Sequence, residues 1–120
     1  MQADSQIKMS QDQHQELWYQ AAGGQSLCAL INGGVGCLMY LREAGDAGFS
    51  SRNPDYSGPE DAMIEFILGN GQLDLYPASW TLPLAHVMRA IDYFQSTGLP
   101  PPFIAWNNDS DDGSLPGPIT

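Results

Sequence analysis

Positive charge is what this chain most lacks. Lys8, Arg42, Arg52 and Arg89 stand against fourteen Asp and Glu residues, a formal net charge of −10. Four scattered cations cannot neutralise a phosphate track, which excludes nucleic acid as a partner, and an anionic membrane surface would be repelled for the same reason. Long apolar runs are missing too. None approaches the roughly 20 residues that a bilayer-spanning helix needs. Met1 to Gln15 is polar and lacks the basic-then-apolar order of a signal peptide, so the expected address is the cytoplasm.

Reactive side chains are equally scarce. His14 and His86 are the only histidines, and Cys28 and Cys37 the only cysteines. A cysteine–histidine dyad would need a thiol exposed beside a histidine, yet both cysteines lie in apolar runs. No Gly-x-Ser-x-Gly elbow occurs, and Asn32-Gly33-Gly34-Val35-Gly36 lacks the Lys-Ser/Thr and helix of a phosphate loop. Two cysteines and two histidines without close spacing make no zinc site. Asn107 to Gly113 echoes a calcium loop, but the position of its closing bidentate Glu falls on Ile119. The chain therefore reads as a non-enzyme with no metal and no cofactor.

What is present is a scaffold. Hydrophobic residues make up 42% and charged residues 15%, the composition of a folded domain. The domain is expected over residues 1–107, followed by a flexible acidic Pro/Gly-rich tail at 108–120. Ser10 to Ala22 has a capping Ser, Gln13 at the capping-box position and a Gly23-Gly24 stop. That pattern predicts an N-terminal helix burying Leu17, Trp18 and Ala21. Ser26–Ile31 and Val35–Leu41 flank Asn-Gly-Gly and predict a hairpin, apolar on both faces and so central in the sheet. A turn at Asn32-Gly33 would set Cys28 across from Cys37 and permit a disulfide. A turn at Gly33-Gly34 would set Cys37 across from Leu30 and leave two buried thiols, the ordinary state without an export signal.

Arg42 to Asp61 reads as a long irregular segment with two prolines and five acidic residues. Met63–Leu68 and Gln72–Tyr76 predict a second hairpin about Asn70-Gly71. That register pairs Phe66 with Leu75 and Leu68 with Leu73 on one apolar face, and turns Glu65 and Asp74 outward. Thr81 and Pro83 open a helix whose stripe is Leu84, Val87, Met88, Ile91 and Phe94, and Gly98 closes it. A last strand follows at Phe103–Trp106. The expected fold class is α+β: a mixed or antiparallel sheet of about five strands, two hairpins plus a C-terminal strand. One amphipathic helix packs on it and the N-terminal helix lies alongside.

In order, the motifs are Gly48-Phe49-Ser50-Ser51, Gly71-Gln72-Leu73-Asp74-Leu75-Tyr76-Pro77, Leu82-Pro83-Leu84, Ala90-Ile91-Asp92-Tyr93-Phe94, Thr97-Gly98 and Ile104-Ala105-Trp106. Their order and spacing over about residues 27–107 resemble the Imm1 family of bacterial immunity proteins. The Pro100-Pro101-Pro102 run departs from that pattern, and the chain beyond Trp106 lies outside it. The resemblance implies an antidote to a toxin encoded beside it, bound one-to-one. It also implies a nucleic-acid-targeting enzyme as the toxin, with deaminases of DNA or RNA prominent. A −10 protein suits that role, because such an enzyme presents a basic cleft. The candidate contacts are the acidic and aromatic residues expected on loops or the outward hairpin face: Glu43, Asp46, Asp55, Tyr56, Glu60, Asp61, Glu65, Asp74 and Tyr76. Two alternatives stand beside this reading. One is an acidic mimic of nucleic acid that inhibits host-defence nucleases. The other is a small-ligand domain, which a deep pocket at His86 or a cysteine would favour.

Overall fold

The Gly33-Gly34 pair sets the centre of the molecule. The structure, a computed structural model, describes residues 13–110. In it β2 (Ser26–Asn32) and β3 (Val35–Leu41) are joined by those two glycines alone, with Asn32 opposite Val35, Leu30 opposite Cys37 and Cys28 opposite Met39. This is the second of the two registers above, and it keeps the thiols from facing each other. Both cysteines are free and buried. Leu27, Ala29 and Leu38 point to one core cluster, and Cys28, Leu30 and Cys37 to another. The pair is central and covered on both faces.

Around it the main sheet is antiparallel throughout. Its order is β1 (His14–Gln20), β2, β3, β4 (Phe49–Arg52) and β8 (Ala105–Asn108), with the two-residue β7 (Leu82–Pro83) also on β3. The edge strand β1 corrects the expected helix. Residues 14–20 pair along their whole length with β2, from His14 opposite Asn32 to Gln20 opposite Ser26. Leu17 and Tyr19 pack on the core while Trp18 is 53% exposed. Local helical spacing loses here to the open edge of a buried strand, whose unpaired N–H and C=O groups must find partners. The start of that helix, at residues 10–12, lies outside the described residues, as does most of the acidic tail, residues 111–120.

A second correction falls at β4, within what reads as an irregular segment. It lies between β3 and β8, and Phe49, Ser50 and Ser51 are buried. Two serines disguise it, but Ser51 is satisfied inside: its Oγ accepts from the Leu38 N–H at 3.0 Å and donates to the Trp80 carbonyl at 2.8 Å. The helix α1 (Leu84–Thr97) buries Val87, Ala90, Ile91 and Phe94 against one sheet face. Burial of Val87, Ile91 and Phe94 stabilises by roughly 1.5–3 kcal/mol each. Met88, expected in that stripe, is 42% exposed, and Ala90 takes its place. Pro83 rather than Thr81 occupies the N-cap position, with no side-chain capping bond, and the Thr81 hydroxyl donates to the Ala78 carbonyl at 2.7 Å.

The opposite face of the sheet is covered by the hairpin β5 (Met63–Ile67) and β6 (Leu73–Pro77), which pair as a separate two-stranded sheet. Its register is the third correction. Phe66 pairs with Asp74, Glu65 with Leu75 and Ile67 with Leu73. The turn holds three residues rather than two: the Leu68 N–H donates to the Gln72 carbonyl, enclosing Gly69, Asn70 and Gly71. Gly71 takes a φ of 89°, the left-handed residue such a three-residue loop requires. One added turn residue flips every side chain of β6 to the other face. Ile64, Phe66, Leu68 and Tyr76 therefore face the sheet, and Leu73 and Leu75 face out.

Candidate functional site

The nine acidic and aromatic candidates fall into three groups. Glu43 and Asp46 sit between β3 and β4. Glu43 is exposed, whereas the Asp46 side chain is only 7% exposed. The Asp46 carboxylate accepts from the Arg42 backbone N–H (2.9 Å), Nε (2.8 Å) and Nη2 (2.8 Å). The guanidinium lies 5.0 Å over the Phe49 ring, and Nη2 also reaches Ser110 Oγ at 3.1 Å. Asp46 is thus the latch of its own loop.

Those bonds from Arg42 hold the Asp46 carboxyl well below its ordinary value of 3.8. A lowered folded-state pKa adds stability that is complete above the unfolded value and is lost as pH falls through the folded one. Asp46→Asn is therefore expected to cost about 2 kcal/mol at neutral pH, the scale of charge-assisted bonds. The gap from the native chain should close as pH drops below the ordinary value. Urea melts at neutral pH and near pH 3 check both statements; a gap unchanged in acid would refute the latch.

Asp55, Tyr56, Glu60 and Asp61 occupy the loop between β4 and β5. This loop is long but built. The Asn53 N–H donates to the Ser79 carbonyl, the Asp55 N–H to Asn53 Oδ1, and the Tyr56 hydroxyl to the Pro59 carbonyl at 2.8 Å. Asp55, Glu60 and Asp61 are exposed on it, and Tyr56 is half-buried. Glu65, Asp74 and Tyr76 belong to the hairpin. Glu65 and Asp74 point to opposite faces, against expectation, because of the three-residue turn. Asp74 is partly buried and its Oδ1 accepts from Gln72 Nε2 at 2.8 Å. Tyr76 packs between Phe66 and Trp80, with ring centroids at 5.9 and 5.8 Å. The structure brings Asp55, Glu60, Asp61 and Glu65 to solvent, and uses Asp46 and Tyr76 inside the fold.

Sequence reasoning missed the exposed apolar side chains Trp18, Met63, Leu73 and Leu75, which are between 49% and 53% accessible. For Leu73 and Leu75 the glycine on each side of Asn70 was the available signal, since Gly-Asn-Gly serves a three-residue loop as readily as Asn-Gly serves a two-residue one.

Reactive chemistry has little purchase. Burial pushes both cysteine thiols up to about 12, so neither is a nucleophile at neutral pH. His86 lines a cleft of about 340 Å³ with Arg52, Asp55 and Phe103. There the Arg52 guanidinium stacks 4.0 Å over Trp80 and donates to Ser50 Oγ and the Ser51 carbonyl. The His86 ring rests edge-on against Phe103 at 5.4 Å. Arg52 thus ties β4 to Trp80, and His86 ties α1 to Phe103, so these groups serve the fold. Among the described residues no three His, Cys, Asp or Glu side chains converge to hold a metal ion. No helix among them is long and apolar enough to cross a membrane.

Comparison with protein families gives a match over residues 2–108 to the family described as Immunity protein Imm1. Comparison with curated proteins gives no match.

Proposed function

The chain belongs to the Imm1 family of immunity proteins, and from that premise we propose that it neutralises its cognate toxin without catalysis, by covering a basic substrate cleft. The toxin in this reading is a nucleic-acid-targeting enzyme such as a DNA or RNA deaminase, bound one-to-one in the cytoplasm. The observation that carries it is a segment of one charge sign. From Asn53 to Met88 the chain has Asp55, Glu60, Asp61, Glu65 and Asp74 and no Lys or Arg. A surface of that kind complements the cleft of an enzyme that grips phosphates, and it speeds encounter by roughly 10 to 1,000-fold at low salt. Glu43, Asp55, Glu60 and Asp61 are the steering charges. Tyr56 and Asp74 stand at the margin, while Asp46 braces the loop that carries Glu43 and Tyr76 braces the hairpin from inside.

Co-expression with the toxin domain encoded beside this chain tests the reading. The expected result is a 1:1 complex by light scattering, with nucleobase deamination falling linearly to zero at one equivalent. Protection by far less than one equivalent would mean catalysis and overturn it. Asp55→Lys with Glu60→Lys should slow association about 10-fold and flatten its salt dependence, as charges at an interface rim do. An unchanged association rate would move the contact away from this loop.

A further inference from the structure

We propose that the outward face of the β5–β6 hairpin, formed by Met63, Leu73 and Leu75 with Trp18 beside its tip, is the surface on which the toxin docks, through an apolar patch flanked by Lys or Arg. This rests on the immunity reading above and adds to it a place and a chemistry.

A hairpin covering one face of a sheet ordinarily alternates, apolar inward and polar outward. This one does not. Its inner positions Ile64, Phe66, Leu68 and Tyr76 already fill the core between hairpin and sheet. Three outer positions beside Glu65 are nevertheless apolar and open: Met63 is 49% exposed, Leu73 51% and Leu75 52%. Nothing in the core needs them. Exposed apolar side chains gathered on one face mark a contact surface, whereas scattered ones do not.

Trp18 adds an anchor. Its pairing with Cys28 puts it on the side of the main sheet that carries the hairpin, where it is 53% exposed. Glu16 fixes it there: one carboxylate oxygen accepts the Trp18 indole N–H at 2.7 Å, the other the Gly69 N–H of the hairpin tip at 2.8 Å. An indole held before binding loses little freedom when a partner covers it, and tryptophan is among the residues that carry most interface energy.

Charge selects the occupant. Glu65 lies on the outer face directly opposite Leu75, and the whole segment around the hairpin is free of Lys and Arg. Two copies of this chain meeting on this face would bring Glu65 against Glu65 between molecules of net charge −10, and an anionic lipid surface would meet the same repulsion. A basic protein with an apolar centre to its docking patch fits both features.

The test measures the Kd of the full chain for the adjacent-gene toxin domain, by calorimetry at physiological salt. Leu73→Arg with Leu75→Arg should raise Kd by about 100-fold, and Trp18→Ala by about 10-fold. Leu73→Thr with Leu75→Thr, which keeps strand propensity and adds no charge, should raise it about 10-fold, and it carries the test if the arginine variant does not fold. Met88→Arg, on the exposed side of α1 beneath the other sheet face, should stay within about threefold. Circular dichroism and Tm must match the native chain for each variant compared. Hairpin variants that bind within threefold of the native chain, while the native chain binds tightly, would overturn the docking face alone. A native chain that is a dimer on its own, dissolved by the arginine pair, would assign the face to self-association and overturn the proposal. Failure of the native chain to bind the toxin would overturn the immunity reading, and this inference with it.

Discussion

Phe66→Ala is expected to destabilise the domain by about 3–5 kcal/mol, the range for truncating a fully buried phenylalanine. Phe66 is 1% exposed and forms the middle of the core cluster between hairpin and sheet, with Cys28, Leu30, Cys37 and Tyr76 around it. It is the main apolar link between the two sheets, so its loss leaves a cavity that the hairpin can relieve only by lifting away. Against a total stability of order 5–15 kcal/mol, that is a large share. The cysteines report the mechanism. In the native chain both thiols are buried and protonated, with burial pushing them up to about 12. In Phe66→Ala they should react with a thiol reagent much faster, and at a lower urea concentration than that which unfolds α1. Thiol labelling and circular dichroism across one urea series measure both. A loss under about 1.5 kcal/mol with unchanged labelling would mean that the hairpin is held by its backbone rather than by this ring.

Gly48→Ala is expected to cost about 3 kcal/mol or more, and Gly45→Ala only about 1–2. Both glycines precede β4 and both have left-handed backbones, φ of 76° and 83°. Placing alanine in that region costs roughly 1–2 kcal/mol at either position. Space separates them. A Cβ on Gly45 meets nothing within 4 Å, whereas one on Gly48 would lie 2.5 Å from the Tyr40 carbonyl oxygen and 2.5 Å from Leu41 Cδ2. A leucine methyl can turn aside; a strand carbonyl cannot without disturbing the β3–β4 ladder. The Gly48 carbonyl also accepts the Asp109 N–H at 2.9 Å, so a shift there reaches the end of β8. Thermal melts of the two variants side by side would check the difference. Equal losses would show that strain alone, and not the close approach, sets the requirement for glycine.

These two sites mark the division between local and long-range information. The β2–β3 hairpin was legible because adjacent residues determine it: two apolar runs and a glycine pair. Helix α1 was legible because three- and four-residue spacing of Val87, Ile91 and Phe94 is a property of the helix itself. The family was legible in the order of short motifs, and the acidic character in a count of charges. Of the seven acidic candidates, Glu43, Asp55, Glu60, Asp61 and Glu65 are exposed as expected, whereas Asp46 and Asp74 are drawn into the fold.

Three features were decided elsewhere in the chain. His14–Gln20 has a helix-like pattern, but the unpaired edge of a buried β2 draws it into the sheet. Phe49–Arg52 looks like loop because its serines are polar, yet Ser51 finds both its partners, Leu38 and Trp80, on distant parts of the chain. The turn at Gly69–Gly71 admits two or three residues locally, and packing of Phe66 and Tyr76 against Cys28, Leu30 and Cys37 selects three. That last choice exchanges the faces of β6 and brings Leu73 and Leu75 to the surface. By itself, then, the sequence determined composition, charge, helix and, up to a choice between two registers, the first hairpin, because each depends on near neighbours. The tertiary structure alone decided which side of the second hairpin meets solvent, because a two-residue period turns one added turn residue into an inversion.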